Sequence, residues 1–380
     1  MTATDSGEQA LFASTTRAFL GKEASLRTVR DLHAADKSFD PAWWRRAAEL
    51  GWTSLLVSED LGGGSVSGNG VADLALVAEM AGHTVAPGPL QPVSVVLAGL
   101  VDADNRTDHA AAIEAVMAGE AVASWAVYEP DRPFEPLAPT LTATATDTGY
   151  RLRGGKDRVE AAAESDLFLV VARFGDELRQ FVVPADAAGV RIEPTPSIDM
   201  VKRYARVHFD DVDVATTASV GGPGQTATLI DRQTQIALIL QCAELVGMLD
   251  EMLAATIAWA VDRHSFGRPL ASYQALKHRF ADLKTRFEAC RATTAHAVSE
   301  VGARSPDADV SASIAKSFVG EWASVMLQDC IQLHGGIGLT WEHDLHMFLR
   351  RAALYRAMYG DPDYHNRRIF ACLTESEVAQ

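Results

Sequence analysis

The chain has 380 residues, of which 48% are hydrophobic, and this predicts a large buried core and two or three domains. Its formal net charge of −16 argues against partners that are themselves anionic, such as nucleic acid or an acidic lipid surface. No apolar run approaches the roughly 20 residues of a membrane-spanning helix, and the first residues lack the basic and apolar regions of a signal peptide. We therefore expect a cytoplasmic protein without a membrane or nucleic-acid partner.

The cysteines are scattered and show no CxxC spacing: Cys242, Cys290, Cys330 and Cys372. This pattern indicates a reducing compartment and argues against a disulfide framework or a zinc site. Three histidines lie near acidic residues, His343, His346 and His365, but no closed ligand set occurs at metal spacing. We expect no metal.

The first 120 residues are predicted to form a helical domain. Apolar residues recur at helical spacing over four stretches, at 10–21, 41–51, 71–81 and 93–101. The glycine-rich segment 61–70 is predicted to be a loop.

Residues 121–225 are predicted to form a β-domain. Short alternating or β-branched runs, separated by turn residues, occur at 140–146, 149–155, 167–172, 180–184 and 204–209. The pair Asp210-Asp211 is predicted to be the turn that ends the last run.

Residues 226–380 are predicted to be helical again. Long periodic segments cover 230–262 and 271–303, and Ser305-Pro306-Asp307 predicts the start of a third helix that reaches His334. Gly335-Gly336 would end that helix, and another is predicted over 344–358. The predicted fold class is α+β, with helices, then strands, then a helical bundle.

Two C-terminal segments are distinctive. The first is Arg-His-Ser-Phe-Gly-Arg-Pro-Leu at 263–270, and the second is Gln-Leu-His-Gly-Gly-Ile-Gly-Leu-Thr-Trp-Glu-His at 332–343. With further matches at 58–64, 127–130 and 154–156, the chain resembles the acyl-CoA dehydrogenase family, including actinobacterial subunits of sterol side-chain degradation. The resemblance implies a flavoprotein with an N-terminal helical domain, a middle β-barrel or β-sheet domain and a C-terminal four-helix bundle.

The resemblance also implies FAD as cofactor and a set of residues that hold its ADP half across a subunit interface. The guanidinium of Arg263 suits a pyrophosphate, and the glycine turn lets a nucleotide approach the backbone. Phe266 and Leu270 are expected to offer apolar surface to the adenosine, and Gln274 a polar contact. The cofactor-binding residues expected on this basis are Arg263, Ser265, Phe266, Leu270, Gln274, Gln332, Gly335 and Gly336.

The position of the family's catalytic base is occupied differently. The family uses a carboxylate to remove the α-proton of an acyl thioester, and its usual position here is Tyr359. A phenol, with a reference pKa of about 10, is a poor base at neutral pH. Asp361 is the nearest carboxylate, and Glu244 lies on the first bundle helix, two turns beyond Ala237, where some family members place their base. A structural role for Glu244 inside the bundle is favoured over a catalytic one.

The flavin-ring motifs of the β-domain depart from the family too. Tyr128 replaces a threonine, and Arg158 replaces a tryptophan, so that a stacking plane is expected to be lost. Glu160 is expected to add negative charge near the flavin. The half of the site that binds ADP thus matches the family, whereas the half that binds isoalloxazine does not.

Three functions follow from this asymmetry. The leading hypothesis is a subunit of a heterotetramer that completes an FAD site across the interface and lacks the usual glutamate. The second is a self-sufficient homo-oligomeric acyl-CoA dehydrogenase that uses Asp361 or Glu244 as base. The third is a non-catalytic acyl-CoA-binding or scaffold subunit. The resemblance implies an acyl-CoA substrate, a tetramer and an electron-transfer flavoprotein as partner.

Overall fold

A computed structural model describes the backbone of residues 7–378 and the side chains through residue 374. Residues 1–6 lie outside the described residues, and they include most of the N-terminal segment in which the sequence shows no signal-peptide features. The helices are α1 (Gly7–Glu23), α2 (Leu26–Ala34), α3 (Pro41–Glu49), α4 (Gly70–His83), α5 (Leu90–Val101), α6 (Ala110–Met117), α7 (Thr226–Asp262), α8 (Gln274–Gly302), α9 (Ala308–His334), α10 (Leu345–Ala357) and α11 (Pro362–Val378). The strands are β1 (Ala123–Ala126), β2 (Thr142–Ala145), β3 (Gly149–Glu160), β4 (Leu167–Phe174), β5 (Glu177–Pro184), β6 (Val190–Thr195), β7 (Tyr204–Ala215), β8 (Ser219–Val220), β9 (His264–Ser265) and β10 (Arg268–Pro269).

The N-terminal helices begin at local capping signals. The Oγ of Ser25 accepts a hydrogen bond from the Thr28 amide at the start of α2, and Asp40 caps α3, whose first residue is Pro41. All four helices predicted in this region are present. Two short ones, α2 and α6, were not predicted.

The middle region is a mixed sheet with the order β6-β7-β3-β2-β4-β5-β8, in which β1 pairs with β4. The pairs β1–β4 and β2–β4 are parallel, and the others are antiparallel. The predicted turn at Asp210-Asp211 is wrong, because both residues lie inside β7. There they oppose Arg153 alone as a β-bulge, and Asp211 takes a φ of +55°.

The C-terminal region is built around α9, which packs against α7, α8, α10 and α11. The predicted start of α9 is two residues early. The helix begins at Ala308, and the Oγ of Ser305 instead accepts a hydrogen bond from the Asp307 amide in the preceding turn. The helix ends before Gly335, as predicted.

The two helical regions share one hydrophobic core, whereas the sheet has a second core of its own. Helices α4 and α7 cross closely at two glycines. A Cβ at Gly82 would overlap the carbonyl oxygen of Glu244, and a Cβ at Gly247 would overlap that of Glu79. The α+β fold class is confirmed, and we propose domain boundaries near residues 120 and 225, where the element type changes.

Within residues 7–378, none of the helices combines the length and apolar character that crossing a membrane requires. The four cysteines are free thiols, and only Cys372 is exposed. No three His, Cys, Asp or Glu side chains of the described part of the chain come together as a metal site.

Candidate active site

A short hairpin between α7 and α8 positions the first predicted segment. Ser265 of β9 pairs with Arg268 of β10, and the two turn residues, Phe266 and Gly267, have φ angles of +50° and +80°. Such positive angles are those of the tight turns that suit a two-residue hairpin. Arg263 precedes the hairpin, and its carbonyl accepts a hydrogen bond of 2.8 Å from the Leu270 amide. The hairpin therefore fixes Arg263 and Leu270 next to each other.

The second predicted segment is the bare turn after α9. Gly335 has φ +69° and ψ −145°, which only glycine adopts readily. A Cβ at Gly335 or Gly336 would meet no atom within 4 Å, so both positions leave the backbone accessible. Gly338 is different, because a Cβ there would lie 2.8 Å from the carbonyl oxygen of Ile331. The first two glycines keep space open, and the third permits close packing.

The hairpin and the glycine turn together enclose a cavity of about 670 Å³. Six of the eight predicted cofactor-binding residues line it, namely Arg263, Ser265, Leu270, Gln332, Gly335 and Gly336. Gln274 is exposed at the first position of α8 and is not part of the wall. Phe266 is 97% exposed at the hairpin tip, also outside the wall.

Arg263 is the main charge of this cavity. Its guanidinium lies 5.7 Å from the centroid of the Trp259 ring and makes no ion pair with a carboxylate among the residues whose side chains are described. An unpaired guanidinium with five donors is suited to a pyrophosphate. By contrast Arg279, on the same wall, is paired with Asp329.

Two aromatic wall residues were not predicted as site residues. Trp259 and His334 stack with ring centroids 5.3 Å apart and planes 18° from parallel. Trp259 lies one helical turn before Arg263, and His334 directly precedes Gly335. Their closeness in sequence to these two predicted site residues was the available signal.

Tyr359, at the position where the sequence resemblance leads us to expect the base, lies inside an aromatic cluster. Its ring stacks on Trp125 with centroids 6.1 Å apart and contacts Phe134 edge-on at 5.6 Å and Tyr128 at 5.8 Å. Tyr359 is 5% exposed, and burial holds the pKa of its hydroxyl well above that of a free tyrosine. At neutral pH the side chain is therefore a protonated phenol that cannot act as a base.

The backbone of Tyr359 is held as firmly as its ring. Its amide donates to the Tyr128 hydroxyl, and its carbonyl accepts a hydrogen bond of 2.9 Å from Nε2 of His365. The residue has φ +58°, a left-handed angle that is uncommon outside glycine. These contacts fix the aromatic ring in its place between the sheet and the bundle.

Arg158 covers the aromatic cluster from the sheet. Its guanidinium lies 4.2 Å from the centroid of the Tyr128 ring and donates to the carbonyl oxygens of Glu129 and Arg132. Arg158 stands where the family has a tryptophan, and its planar guanidinium stacks on the Tyr128 ring of the protein itself. A buried ion pair of 2.5 Å between Lys156 and Glu129 ties the two β-region motifs together.

The sequence predicts that Glu160 adds a negative charge near the flavin. In the structure this charge is not left uncompensated. The Glu160 carboxylate is buried and forms an ion pair of 2.7 Å with Lys202. The Tyr204 hydroxyl donates to its other oxygen at 3.4 Å. The charge of Glu160 is therefore balanced within the protein.

Glu244 is engaged through both of its carboxylate oxygens. One accepts a hydrogen bond from Arg351, and the other accepts one of 2.6 Å from the Tyr355 hydroxyl. Arg351 also pairs with Asp199 in the middle region, and it holds the pKa of that carboxyl below its usual value against the opposing effect of burial. This arrangement is typical of a structural carboxylate rather than a base that is free to accept a proton.

Asp361 is exposed and caps α11. Its Oδ1 accepts a hydrogen bond of 2.8 Å from the Tyr364 amide, and its carbonyl accepts one from the His365 amide. This is the geometry of a helix N-cap, which accounts for an aspartate at this position without catalysis.

Comparison with known proteins assigns the chain to a family. Its residues 6–102 match the model of the acyl-CoA dehydrogenase N-terminal domain, and residues 229–373 match that of the C-terminal domain. Acyl-CoA dehydrogenase IpdE2 of Mycobacterium tuberculosis is 30% identical over 372 residues, which cover 98% of this chain and 97% of that protein. The chain belongs to the acyl-CoA dehydrogenase family.

Two solved structures illustrate the fold of this family. Butyryl-CoA dehydrogenase from Megasphaera elsdenii matches with a TM-score of 0.90 and 20% identity, covering 98% of this chain and 100% of that one. A chain of the ChsE4-ChsE5 complex from Mycobacterium tuberculosis matches with a TM-score of 0.87 and 22% identity, covering 99% of each chain.

FAD is the cofactor that this acyl-CoA dehydrogenase family implies, and the residues present fit its two halves unequally. The cavity with Arg263 and the bare glycine turn offers donors and open backbone, which suit the ADP half. The side chains assigned to the isoalloxazine half instead pack on one another, since the Tyr128 ring contacts both Arg158 and Tyr359. The chain thus fits the ADP half of an FAD and does not fit an isoalloxazine ring of its own.

Proposed function

We propose that this protein is a subunit of an acyl-CoA dehydrogenase that introduces an α,β double bond into an acyl-CoA thioester. It completes an FAD site across a subunit interface, and a different subunit supplies the isoalloxazine pocket and the catalytic base. The observation that carries the proposal is the contrast between the open cavity at Arg263 and the filled aromatic cluster at Tyr359.

The residues of this chain act by binding. Arg263 holds the pyrophosphate through charge-assisted hydrogen bonds, and Gly335 and Gly336 let it approach the backbone without steric hindrance. Leu270 contributes apolar surface to the adenosine. FAD, when bound, would supply the acceptor for the hydride from the β-carbon of the thioester, and the family resemblance implies an electron-transfer flavoprotein as the partner that takes the electrons.

The base that takes the α-proton is proposed to come from the partner. Tyr359 is a buried phenol with a raised pKa, both oxygens of Glu244 are bonded, and Asp361 caps a helix in solvent. None of the three combines a free carboxylate oxygen with a buried position at the expected place. These contacts support a partner-dependent enzyme over a self-sufficient one.

The solved structures with this fold offer one precedent for two different subunits. The ChsE4-ChsE5 complex pairs two differently named chains, and a chain of it covers 99% of the present one. Phe266 beside the cavity is consistent with an interface at this place, because its ring is 97% exposed and would gain free energy from burial against a partner.

The test is to purify the protein alone and with a co-expressed dehydrogenase subunit, and to measure FAD per tetramer and turnover. We expect two FAD molecules per tetramer and activity only in the mixed complex. Arg263→Ala should release FAD from that complex, whereas Arg268→Ala, in the same hairpin but outside the cavity wall, should retain it. Four FAD molecules per tetramer and full turnover from this chain alone would contradict the proposal.

A further inference from the structure

We propose that His334 makes this cavity selective for adenine, by accepting a hydrogen bond from the exocyclic amine of the base through its Nε2 atom. The inference rests on the proposed function, since it assumes that the cavity holds the ADP half of a dinucleotide. It adds a specificity-determining residue to that site.

The hydrogen bonds of His334 define its tautomer. The ring is 6% exposed, and its Nδ1 lies 2.8 Å from the carbonyl oxygen of Cys330, one turn earlier in α9. A carbonyl oxygen can only accept, so Nδ1 carries the proton. In the neutral ring Nε2 is then a bare acceptor. Burial lowers the pKa of His334, which favours this neutral form at neutral pH.

The acceptor is left without a protein partner. Among the described residues, none donates a hydrogen bond to Nε2 of His334. The ring lines the cavity that Arg263 and the glycine turn enclose. The imidazole as a whole is nine-tenths buried, but its Nε2 is not sealed off by the protein. The vacant acceptor is therefore open to a donor that arrives with a ligand in the cavity.

Trp259 fixes the orientation of that acceptor. Its indole ring stacks on His334 at 5.3 Å and 18°, and the ring of His343 packs edge-on against the same imidazole at 4.8 Å. The Nδ1 bond and these two ring contacts leave His334 little freedom to rotate. The indole Nε1 of Trp259 is buried and also lacks a partner among the described residues.

The chemistry of the purines explains the selectivity. Adenine carries an amine, a donor, at the position where guanine carries a carbonyl oxygen, an acceptor. Hypoxanthine has a carbonyl oxygen at the same place. A neutral Nε2 gains a hydrogen bond from adenine, whereas a carbonyl oxygen would leave two acceptors facing each other without a hydrogen bond between them.

The test uses the purified full-length protein and ligand-observed NMR with ADP, IDP and 2′-deoxy-ADP, followed by titration to obtain each Kd. IDP replaces the amine of the base by a carbonyl oxygen, and 2′-deoxy-ADP lacks one ribose hydroxyl. We expect the wild type to prefer ADP over IDP by at least about fivefold and to bind 2′-deoxy-ADP about as well as ADP.

Variants separate the acceptor from the ring. His334→Phe keeps an aromatic ring next to Trp259 and should bind ADP and IDP equally. His334→Gln restores an acceptor oxygen and should recover part of the preference. Arg263→Ala should weaken ADP and IDP alike, because it removes the contact to their common pyrophosphate.

The possible failures are distinguishable. If ADP binds and depends on Arg263 but IDP binds equally well, or if His334→Phe retains the preference, the role of His334 is overturned and the nucleotide site stands. If 2′-deoxy-ADP binds weakly and the discrimination against it disappears in His334→Phe, Nε2 accepts from the ribose and the adenine assignment is overturned. If the wild type binds none of the three nucleotides, both the role of His334 and the proposed function are overturned.

Discussion

Arg351 and Glu244 form a buried ion pair although they lie 107 residues apart in the chain. The same guanidinium pairs with Asp199 of the middle region, and it donates to the carbonyl oxygens of Val85 and Ala86, just after the end of α4. One side chain thus joins the N-terminal helices, the middle region and the bundle.

Removal of the Glu244 carboxylate should therefore affect stability rather than chemistry. Glu244→Ala leaves part of the Arg351 charge and the Tyr355 hydroxyl unpaired in the core, and we expect a loss of roughly 3–5 kcal/mol of unfolding free energy. Urea unfolding measures it. Glu321→Ala removes an exposed ion pair of 2.7 Å with Arg356 and should cost only about 0–1 kcal/mol. A Glu244→Ala protein of wild-type stability but without turnover in the complex would instead identify Glu244 as the base.

Replacement of Tyr359 should show that its ring matters and its hydroxyl does not. Tyr359→Phe retains the contacts with Trp125 and Phe134, so turnover of the complex should stay within about twofold of the wild type. Tyr359→Glu places a carboxylate among aromatic rings and should lower stability by several kcal/mol without adding FAD to this chain. Thermal unfolding and flavin absorbance per chain measure both effects. Recovery of activity in Tyr359→Glu without any partner would disprove the interpretation of the aromatic cluster.

His365 should make the protein sensitive to acid. Burial, with the nearby positive charge of Lys316, lowers the pKa of His365 to about 3, against about 6.5 in an unfolded chain. Between these values the unfolded state binds the proton more readily, so that stability is fully present above pH 6.5 and falls as the pH drops. This side chain should account for a loss of roughly 2 kcal/mol between pH 7 and pH 5.

Urea unfolding of variants at the two pH values checks the assignment to His365. His365→Gln can still donate to the carbonyl of Tyr359 but does not titrate, and it should remove that part of the pH dependence. His296→Gln, at an exposed position, should leave the dependence unchanged. If the unfolding free energy falls equally between pH 7 and pH 5 in the wild type and in His365→Gln, other groups cause the acid sensitivity.

The two glycines of the bare turn should respond differently to alanine. Gly336→Ala adds a methyl group into open space, so it should leave the melting temperature unchanged but weaken ADP binding by intruding on the cavity. Gly335→Ala forces a residue with a Cβ into φ +69° and should cost about 1–3 kcal/mol of stability. Calorimetry and ADP titration measure the two quantities. Wild-type ADP affinity in Gly336→Ala would place the nucleotide elsewhere.

The cavity was predictable because its parts are local in sequence. The hairpin that carries Arg263 and the turn that carries Gly335 are each specified by a short motif, and folding only had to bring the two together. The long helices α7, α8 and α9 were predicted for a related reason, since their apolar periodicity persists over many turns.

The aromatic cluster and the Arg351 network were not predictable in this way. Tyr128 and Tyr359 are 231 residues apart, and their contact depends on how the sheet docks on the bundle. The prediction of a turn at Asp210-Asp211 was wrong for a different reason. Two adjacent acidic residues are typical of a turn, but pairing with β3 extends the strand through them.

The single core that the two helical regions share has a consequence for synthesis on the ribosome. Helix α4 emerges more than a hundred residues before α7, yet the face that carries Gly82 is covered by α7, which approaches closely at Gly247. The face of α4 that packs on α7 must therefore remain without this cover while the whole β-region is translated. Chaperone binding to the growing chain would be concentrated in this interval.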